Sequence, residues 1–344
     1  MGRLGLNLFF VRLPAHCFTD SIKDSLKIKP YLCALNAFRV KKALLYALSA
    51  AILWSVVTPF IKMGLSYDFS PLNFAGLRFT LVGILLLAYS GRKKMWAEVI
   101  AHKNLFLLLI TINIFLGYAT FYFGMNLVRA DIASIVIGTN PLINVLMAHF
   151  IAKNDKLDAY KITSMIIALI GLLLIIGTGN NGSPLAWKAI AGVGLIIASI
   201  VLQAYATIRI SEEKGEINPV FLNGVQMFFG GLMLYATGLL TEGYHPVTGK
   251  PFLFYLSLTV LVLVSTFAFS FWFIALRVKG AKVSDLNMTK LINPILGAIL
   301  SWILLKDEYP TFATVSGMII IVVSLLVYFK GRQLTKQIKR KHDR

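Results

Sequence analysis

Three cations lie inside or beside otherwise apolar stretches of the chain: Lys62 in AILWSVVTPFIKMGL, Arg78 in SPLNFAGLRFTLVGILLLAY, and Lys290 just ahead of INPILGAILSWILL. A charge at the centre of a hydrocarbon layer costs about 2.5–3.5 kcal/mol on insertion scales, so each must find water, a carbonyl or an anion. Lys62 is near enough to the end of its stretch to snorkel to the interface. Arg78 lies deeper, where its long planar fork can brace neighbouring carbonyls or take part in holding a solute. On a helix Lys290 shares a face with Asn293 and Pro294, at i+3 and i+4, where the proline leaves a carbonyl unpaired. A lysine so placed can meet the carboxylate or phosphate of a small molecule.

Amide and aromatic side chains complete the set of substrate-binding candidates. They are Trp54, with Thr58 one turn on, Asn113, Gln203, Gln226, and Asn144, one turn from Asn140 on the same face. In hydrocarbon such groups prefer a bundle interior, where they pair with one another or with a solute. Two Asn-Pro pairs, Asn140-Pro141 and Asn293-Pro294, mark places where a helix is loosened, and they read jointly as interhelical hydrogen-bonding groups and as hinges. His149 reads as a surface histidine near a membrane edge.

Other chemistry is not written in the chain. There is no P-loop, no GxSxG elbow, no HExxH and no Cys/His metal spacing, so no catalytic residue, metal or cofactor is assigned. No Asp or Glu falls well inside an apolar stretch; Asp131, Asp158 and Asp285 are at ends. Proton-for-cation exchange needs a buried carboxylate that can lose its charge, so that mechanism is disfavoured.

The elements that carry these residues follow from composition. Of 344 residues 57% are hydrophobic and 14% charged, too few charges to clothe a soluble globule of this size, and mean hydropathy is +0.75. Roughly ten runs are long enough to cross a bilayer as helices. They start near Ala43, Asn73, Leu105, Asp131, Ala159, Lys188, Pro219, Phe252, Ser284 and Thr311. Period-2 alternation is absent, which argues against a β-barrel. The net charge of +19 is distributed as a membrane protein distributes it: with the amino terminus inside, 27 Lys and Arg lie on the inner side and four, Arg129, Lys188, Lys250 and Lys306, on the outer. That bias is the positive-inside rule and places both termini in the cytoplasm. Nucleic acid is excluded as a partner, because the basic residues sit in short membrane-edge loops without interleaved stacking aromatics.

The chain also repeats itself. NPLINVLMAHFIAKND (140–155) parallels NPILGAILSWILLKDE (293–308), and GMNLVRADIAS (124–134) parallels ALRVKGAKVSD (275–285), at offsets of 153 and 151. Such an offset divides ten spans into five and five, and because five is odd the second copy enters the membrane from the opposite side. The charge map agrees, with Lys153, Lys156 and Lys161 after the first copy and Asp307 and Glu308 after the second. This is the pattern of an inverted repeat, whose halves rock about a site near the midplane.

With these segments in view, residues 43–330 resemble the drug/metabolite transporter superfamily, in its EamA-type branch of ten-helix proteins. AILWSVVTPFIKMGL (51–65), SPLNFAGLRFTLVGILLLAY (70–89), FYFGMNLVRADIASIVIGTNPLINVLM (121–147) and INPILGAILSWILLKDE carry the resemblance. Where such proteins commonly have Gly-Glu after the fourth span, this chain has Asn154-Asp155, a departure that argues against giving Asp155 or Glu308 a transport role. The resemblance implies an all-α integral membrane protein made of two inverted five-helix repeats, 43–178 and 186–330. A leader (1–42) precedes them and a basic tail (331–344) follows. Cys17 and Cys33 both fall in the leader and imply no disulfide framework. The glycine-rich GTGNNGS (177–183) reads as a flexible linker between the halves.

The function expected is carriage of small polar metabolites, amino acids, related zwitterions or organic anions, across the cytoplasmic membrane by alternating access, with the resemblance favouring export. Uptake or exchange is the alternative, and a lipid enzyme or a non-transporting scaffold a remote one. Expected partners are the solute, the bilayer and, at most, a second copy of the chain.

Overall fold

The computed structural model describes residues 28–90, 95–151, 159–177, 187–212, 217–278, 286 and 288–342, and among these the regular elements are all helical. Seven helices are long and apolar enough to cross a bilayer, and three shorter apolar helices, Ile162–Leu174, Ile292–Leu304 and Phe312–Tyr328, bring the set to the ten expected. Span 1 is Ile28–Ser55 continued by Val57–Leu65, and span 2 is Pro71–Ser90. Span 3 runs through Lys103–Leu108, a π-helical stretch Leu109–Leu116 and Gly117–Leu127. Span 4 is Ala130–Ile137 with Asn140–Ile151, and span 5 is Ala159–Gly177. In the second half, spans 6, 7 and 8 are Trp187–Glu212, Pro219–Thr241 and Phe252–Arg277. Span 9 joins a 3-10 turn, Met288–Leu291, to Ile292–Leu304, and span 10 is Phe312–His342. The first helix starts upstream of Ala43, inside the region read as a leader; residues 1–27, the stretch after span 4 with Asp155 and Asp158, and most of the glycine-rich linker lie outside the described residues.

The packing pairs corresponding spans across the halves. Span 2 lies along span 7, span 4 against span 9 and span 5 against span 10, while span 1 packs on span 8 as span 6 packs on span 3. Between apolar helices in lipid, close backbone approach supplies the attraction that water supplies elsewhere. Glycines make that approach possible at the span 2/span 7 seam: a Cβ on Gly76 would sit 2.4 Å from Tyr235 N, and one on Gly231 2.5 Å from Thr80 N.

Helix starts are fixed by short local devices. Proline opens spans 2 and 7, at Pro71 and Pro219, where the missing N–H has no intrahelical partner to lose. Asn218 caps span 7 by accepting from Val220 N (2.9 Å) and Phe221 N (3.2 Å). Span 2 borrows its cap from the other half: the Glu242 carboxylate, just past span 7, accepts from Leu72 N at 3.0 Å. Two apolar clusters fill the bundle, one around Phe74, Tyr122, Met125 and Phe254, the other around Ala47, Phe106, Phe221 and Trp272.

Candidate functional site

A cavity of about 150 Å³ opens inside the bundle, with walls from spans 1, 2, 3, 4, 6, 8 and 9, so both halves contribute. It begins mid-bundle near Arg78, Thr58 and Ser134 and extends toward the end marked by Ile210, Phe273 and Lys290. Five of the sequence candidates, Lys290, Arg78, Trp54, Asn113 and Gln203, line it, as do Asn140 and Asn293. Gln226, fully buried, stands behind the wall at Asn113, and Asn144 is not among the lining residues. Gln203 is steadied within span 6 by a 2.9 Å bond from its Nε2 to Ser199 Oγ.

Lys290 is held by aromatic faces. Its Nζ lies 3.9 Å from the Trp272 ring centroid and 5.3 Å from that of Trp54, and the two indoles are themselves 5.5 Å apart. Phe269 meets Trp54 edge-on at 5.4 Å and backs this cage. A ring quadrupole attracts a cation by about 0.5–2 kcal/mol, enough to orient an ammonium and too little to neutralise it.

Arg78 is fully buried, at 1% exposure, and is oriented by two neutral partners. Its Nε and Nη2 donate to Ser265 Oγ in span 8 at 3.0 and 2.7 Å, and Nη1 donates to the Tyr122 hydroxyl in span 3 at 2.8 Å. Neither Ser265 nor Tyr122 was singled out in the sequence; the only signal was the need of a buried guanidinium for acceptors, which does not say from which helix they come. Asn113 sits in the π-helical stretch of span 3 and donates from Nδ2 to Gln226 Oε1 at 2.9 Å, and Gln226 Nε2 donates to Asn223 Oδ1 at 2.6 Å. Gln226 thus positions Asn113, which faces the cavity.

Both Asn-Pro pairs lie at interruptions of their helices. In span 4 the helix stops at Ile137, turns through Gly138 and Thr139, and restarts at Asn140; in span 9 a 3-10 turn gives way to α-helix at Ile292. The break precedes each proline, which occupies the first turn of the new segment, where proline is tolerated. The two interruptions touch, since a Cβ on Gly138 would meet Pro294 at 2.8 Å. Among the described residues neither Asn140 nor Asn293 makes the expected hydrogen bond to another helix. Asn144 donates to Asn140 within the same helix, to its carbonyl at 2.8 Å and to its side-chain oxygen, and Asn293 Oδ1 is buried without a hydrogen-bond partner among the described residues. The i+4 spacing that puts Asn144 on the face of Asn140 lets the pair satisfy itself.

The opposite end of the bundle is tied by charge. Glu308, 6% exposed, accepts from Ala130 N and from Asp131 N (2.9 Å), capping the start of span 4 from just past span 9. Asp131 pairs with Arg129 (2.9 Å) and accepts from Trp302 Nε1 (2.8 Å), and Arg129 also donates to the Tyr309 carbonyl at 2.8 Å. Burial pushes the Glu308 carboxyl above its ordinary range, and the nearby Asp131 carboxylate adds to that; the two backbone N–H donors and Arg129 pull the other way. Lys62 does snorkel, but to backbone: its Nζ donates to the Val128 carbonyl at 2.7 Å and to Met125 at 3.0 Å, closing the end of span 3. Below this lattice Thr58 and Ser134 share a hydrogen bond between spans 1 and 4.

Comparison with known proteins places this architecture. A crystal structure superposes on the chain with a TM-score of 0.59 at 18% identity, covering 86% of this chain and 99% of its own, a likeness of fold. An uncharacterized transporter of Archaeoglobus fulgidus is 26% identical over 294 residues, 85% of this chain and 99% of its own. The uncharacterized transporter YvbV of Bacillus subtilis is 25% identical over 293 residues, 83% of this chain and 91% of its own. An Escherichia coli protein named "Probable amino-acid metabolite efflux pump" is 24% identical over 305 residues, 85% of this chain and 96% of its own. The EamA-like transporter family matches residues 41–177 and again 190–330, and the chain, a multi-pass membrane protein with its polar cavity between two helical halves, belongs to that family.

Proposed function

We propose that this protein is a secondary carrier that moves small polar metabolites across the cell membrane by alternating access between its two five-helix halves, in the direction of export. The observation that carries this reading is the cavity: polar side chains from both halves converge mid-bundle, beside interruptions in spans 4 and 9, while the Glu308 end is laced shut. Irregular backbone at membrane depth is tolerated where it lines such a cavity, and paired interruptions are the expected position of a binding site between repeats. With both termini in the cytoplasm, as the charge bias requires, the Glu308 end faces outward and the cavity is reached from inside. A cytoplasmic mouth fits the loading step of an exporter, and the name of the Escherichia coli relative supports amino-acid-related cargo.

Counterflow in proteoliposomes tests this. Vesicles preloaded with a pooled library of amino acids and small organic acids, with and without a pH gradient, are expected to accumulate labelled members of the pool, and protein-free vesicles not to. No accumulation of any member under either condition and in either protein orientation would overturn it.

A further inference from the structure

The cavity carries an imbalance of charge. Two cations, Arg78 and Lys290, line it, and among the described residues no carboxylate does. Asp131 and Glu308, the buried acids, are engaged by Arg129, Trp302 and backbone N–H groups. The donors of Arg78 on one edge go to Ser265 and one more goes to Tyr122, which leaves a second hydrogen on each terminal nitrogen without a described partner. Lys290 has the rings of Trp54 and Trp272 against its ammonium and no oxygen acceptor among the described residues. Asp285, the nearest acid in sequence, lies outside the described residues.

Resting on the carrier reading above, we propose that Lys290 and Arg78 form an anion site in which the cargo supplies the missing negative charge: a small organic solute bearing a carboxylate or a phosphate. Arg78 is the fixed member, locked between spans 3 and 8. Lys290 is the movable one, because a cation–π cage lends it no hydrogen bonds and releases it to an oxyanion at small cost. The indoles then close over the apolar part of the cargo. A cationic solute of the same size is repelled by both groups, and a neutral one gains hydrogen bonds without the charge assistance and is held more weakly.

Trp54 and Trp272 make the site its own reporter, so it can be tested without transport. In purified protein with Trp96, Trp187 and Trp302 replaced by Phe, so that Trp54 and Trp272 are the remaining tryptophans, tryptophan quenching by iodide, acrylamide and caesium reads the local preference for an anion, a neutral molecule and a cation. The expected result is iodide quenching well above caesium once both are normalised to acrylamide. Lys290→Gln is expected to lower the iodide-to-acrylamide ratio several-fold, while Lys290→Arg retains it and shows that the fold survives. Acetate or inorganic phosphate, replacing chloride mole for mole, is expected to displace iodide, and whichever does so assigns the cargo class. Equal quenching by iodide and caesium, an unchanged ratio in Lys290→Gln, or displacement by neither anion would overturn the proposal. So would a rise in iodide preference in Asp285→Asn, which would make Asp285 the resident counter-ion. A positive quenching result with no counterflow would leave the anion site standing and remove the carrier reading; counterflow of neutral solutes alone would do the reverse.

Discussion

Arg78 and Gln226 occupy corresponding places in the two halves, and each bonds to the third span of the opposite half. Both lie two residues after a glycine, Gly76 or Gly224, and five before another, Gly83 or Gly231, in helices that start at Pro71 and Pro219. Arg78 donates to Ser265 in span 8; Gln226 accepts from Asn113 in span 3. The crossed pairs tie the two halves together, yet only one of them is charged. A neutral group suffices for this task in the second half, and in the proposed anion site the charge of Arg78 serves the cargo.

Arg78→Gln tests that separation. Glutamine keeps a donor for Ser265 and copies the neutral residue of the other half, so the protein is expected to stay folded, with a stability loss of about 1–3 kcal/mol from the lost Tyr122 partner. Counterflow of anionic cargo is expected to fall at least tenfold, about 1.4 kcal/mol. Unimpaired transport would make the arginine a structural bolt like Gln226.

Much of this was legible in the sequence because membrane helices announce themselves by length and hydropathy, and because an intramembrane cation is rare enough to be informative. Lys290 and Arg78 are legible on those grounds, and Trp54, Asn113 and Gln203 as aromatic or amide groups that prefer a bundle interior; all five line the cavity. What could not be read was partnership. Ser265 is one of many small polar residues in spans and gains its meaning only from Arg78, 187 positions away in sequence. Asn144 and Gln226 have the same chemistry as Asn113, but a self-satisfied i+4 pair and a position behind the wall depend on helix rotation, which composition does not fix. In sequence Glu308 is one of two acids after the second copy of the repeat, and its burial against the start of span 4 depends on how the halves dock.

The Asn113–Gln226 bond is expected to show coupling. In a double-mutant cycle with Asn113→Leu and Gln226→Leu, measured by unfolding in mixed micelles, the interaction term should be about 0.6 kcal/mol, the mean for hydrogen bonds between membrane helices, and at most about 1.7. A term indistinguishable from zero would mean that each side chain has a second partner when its neighbour is lost.

The seam of spans 2 and 7 is expected to tolerate no added bulk. Gly76→Leu places a side chain where Tyr235 backbone already lies, so the helices must separate along their length. Overpacking of this kind costs about 1–3 kcal/mol. The thermal midpoint should drop, whereas Gly194→Leu, with open space around the Cβ position, should leave it nearly unchanged.

The inverted repeat expected from the sequence puts the two Asn-Pro segments on opposite sides of the membrane, because each half has an odd number of spans. In a Cys17→Ser/Cys33→Ser background, an impermeant maleimide added to intact cells should label a cysteine at position 307 and not one at position 155, and the pattern should invert in inside-out vesicles. Labelling of both positions from one side would dismantle the inverted repeat and, with it, the outward assignment of the Glu308 end.

Acidification should act on the laced end through Glu308. Its carboxyl titrates above the ordinary value of 4.5 in the folded protein, chiefly because burial disfavours the charged form. A raised folded pKa means that the folded state binds the proton more tightly than the unfolded chain does. Its contribution to stability is therefore present at low pH and lost as pH rises from the ordinary carboxylate value through the raised one. The difference in thermal midpoint between wild type and Glu308→Gln is expected to move against the wild type across that window and to be flat above it. If the difference instead moved in favour of the wild type with rising pH, Arg129 and the N–H groups of Ala130 and Asp131 would outweigh burial, and the carboxylate would be a net stabiliser of the closed end in its ionised form.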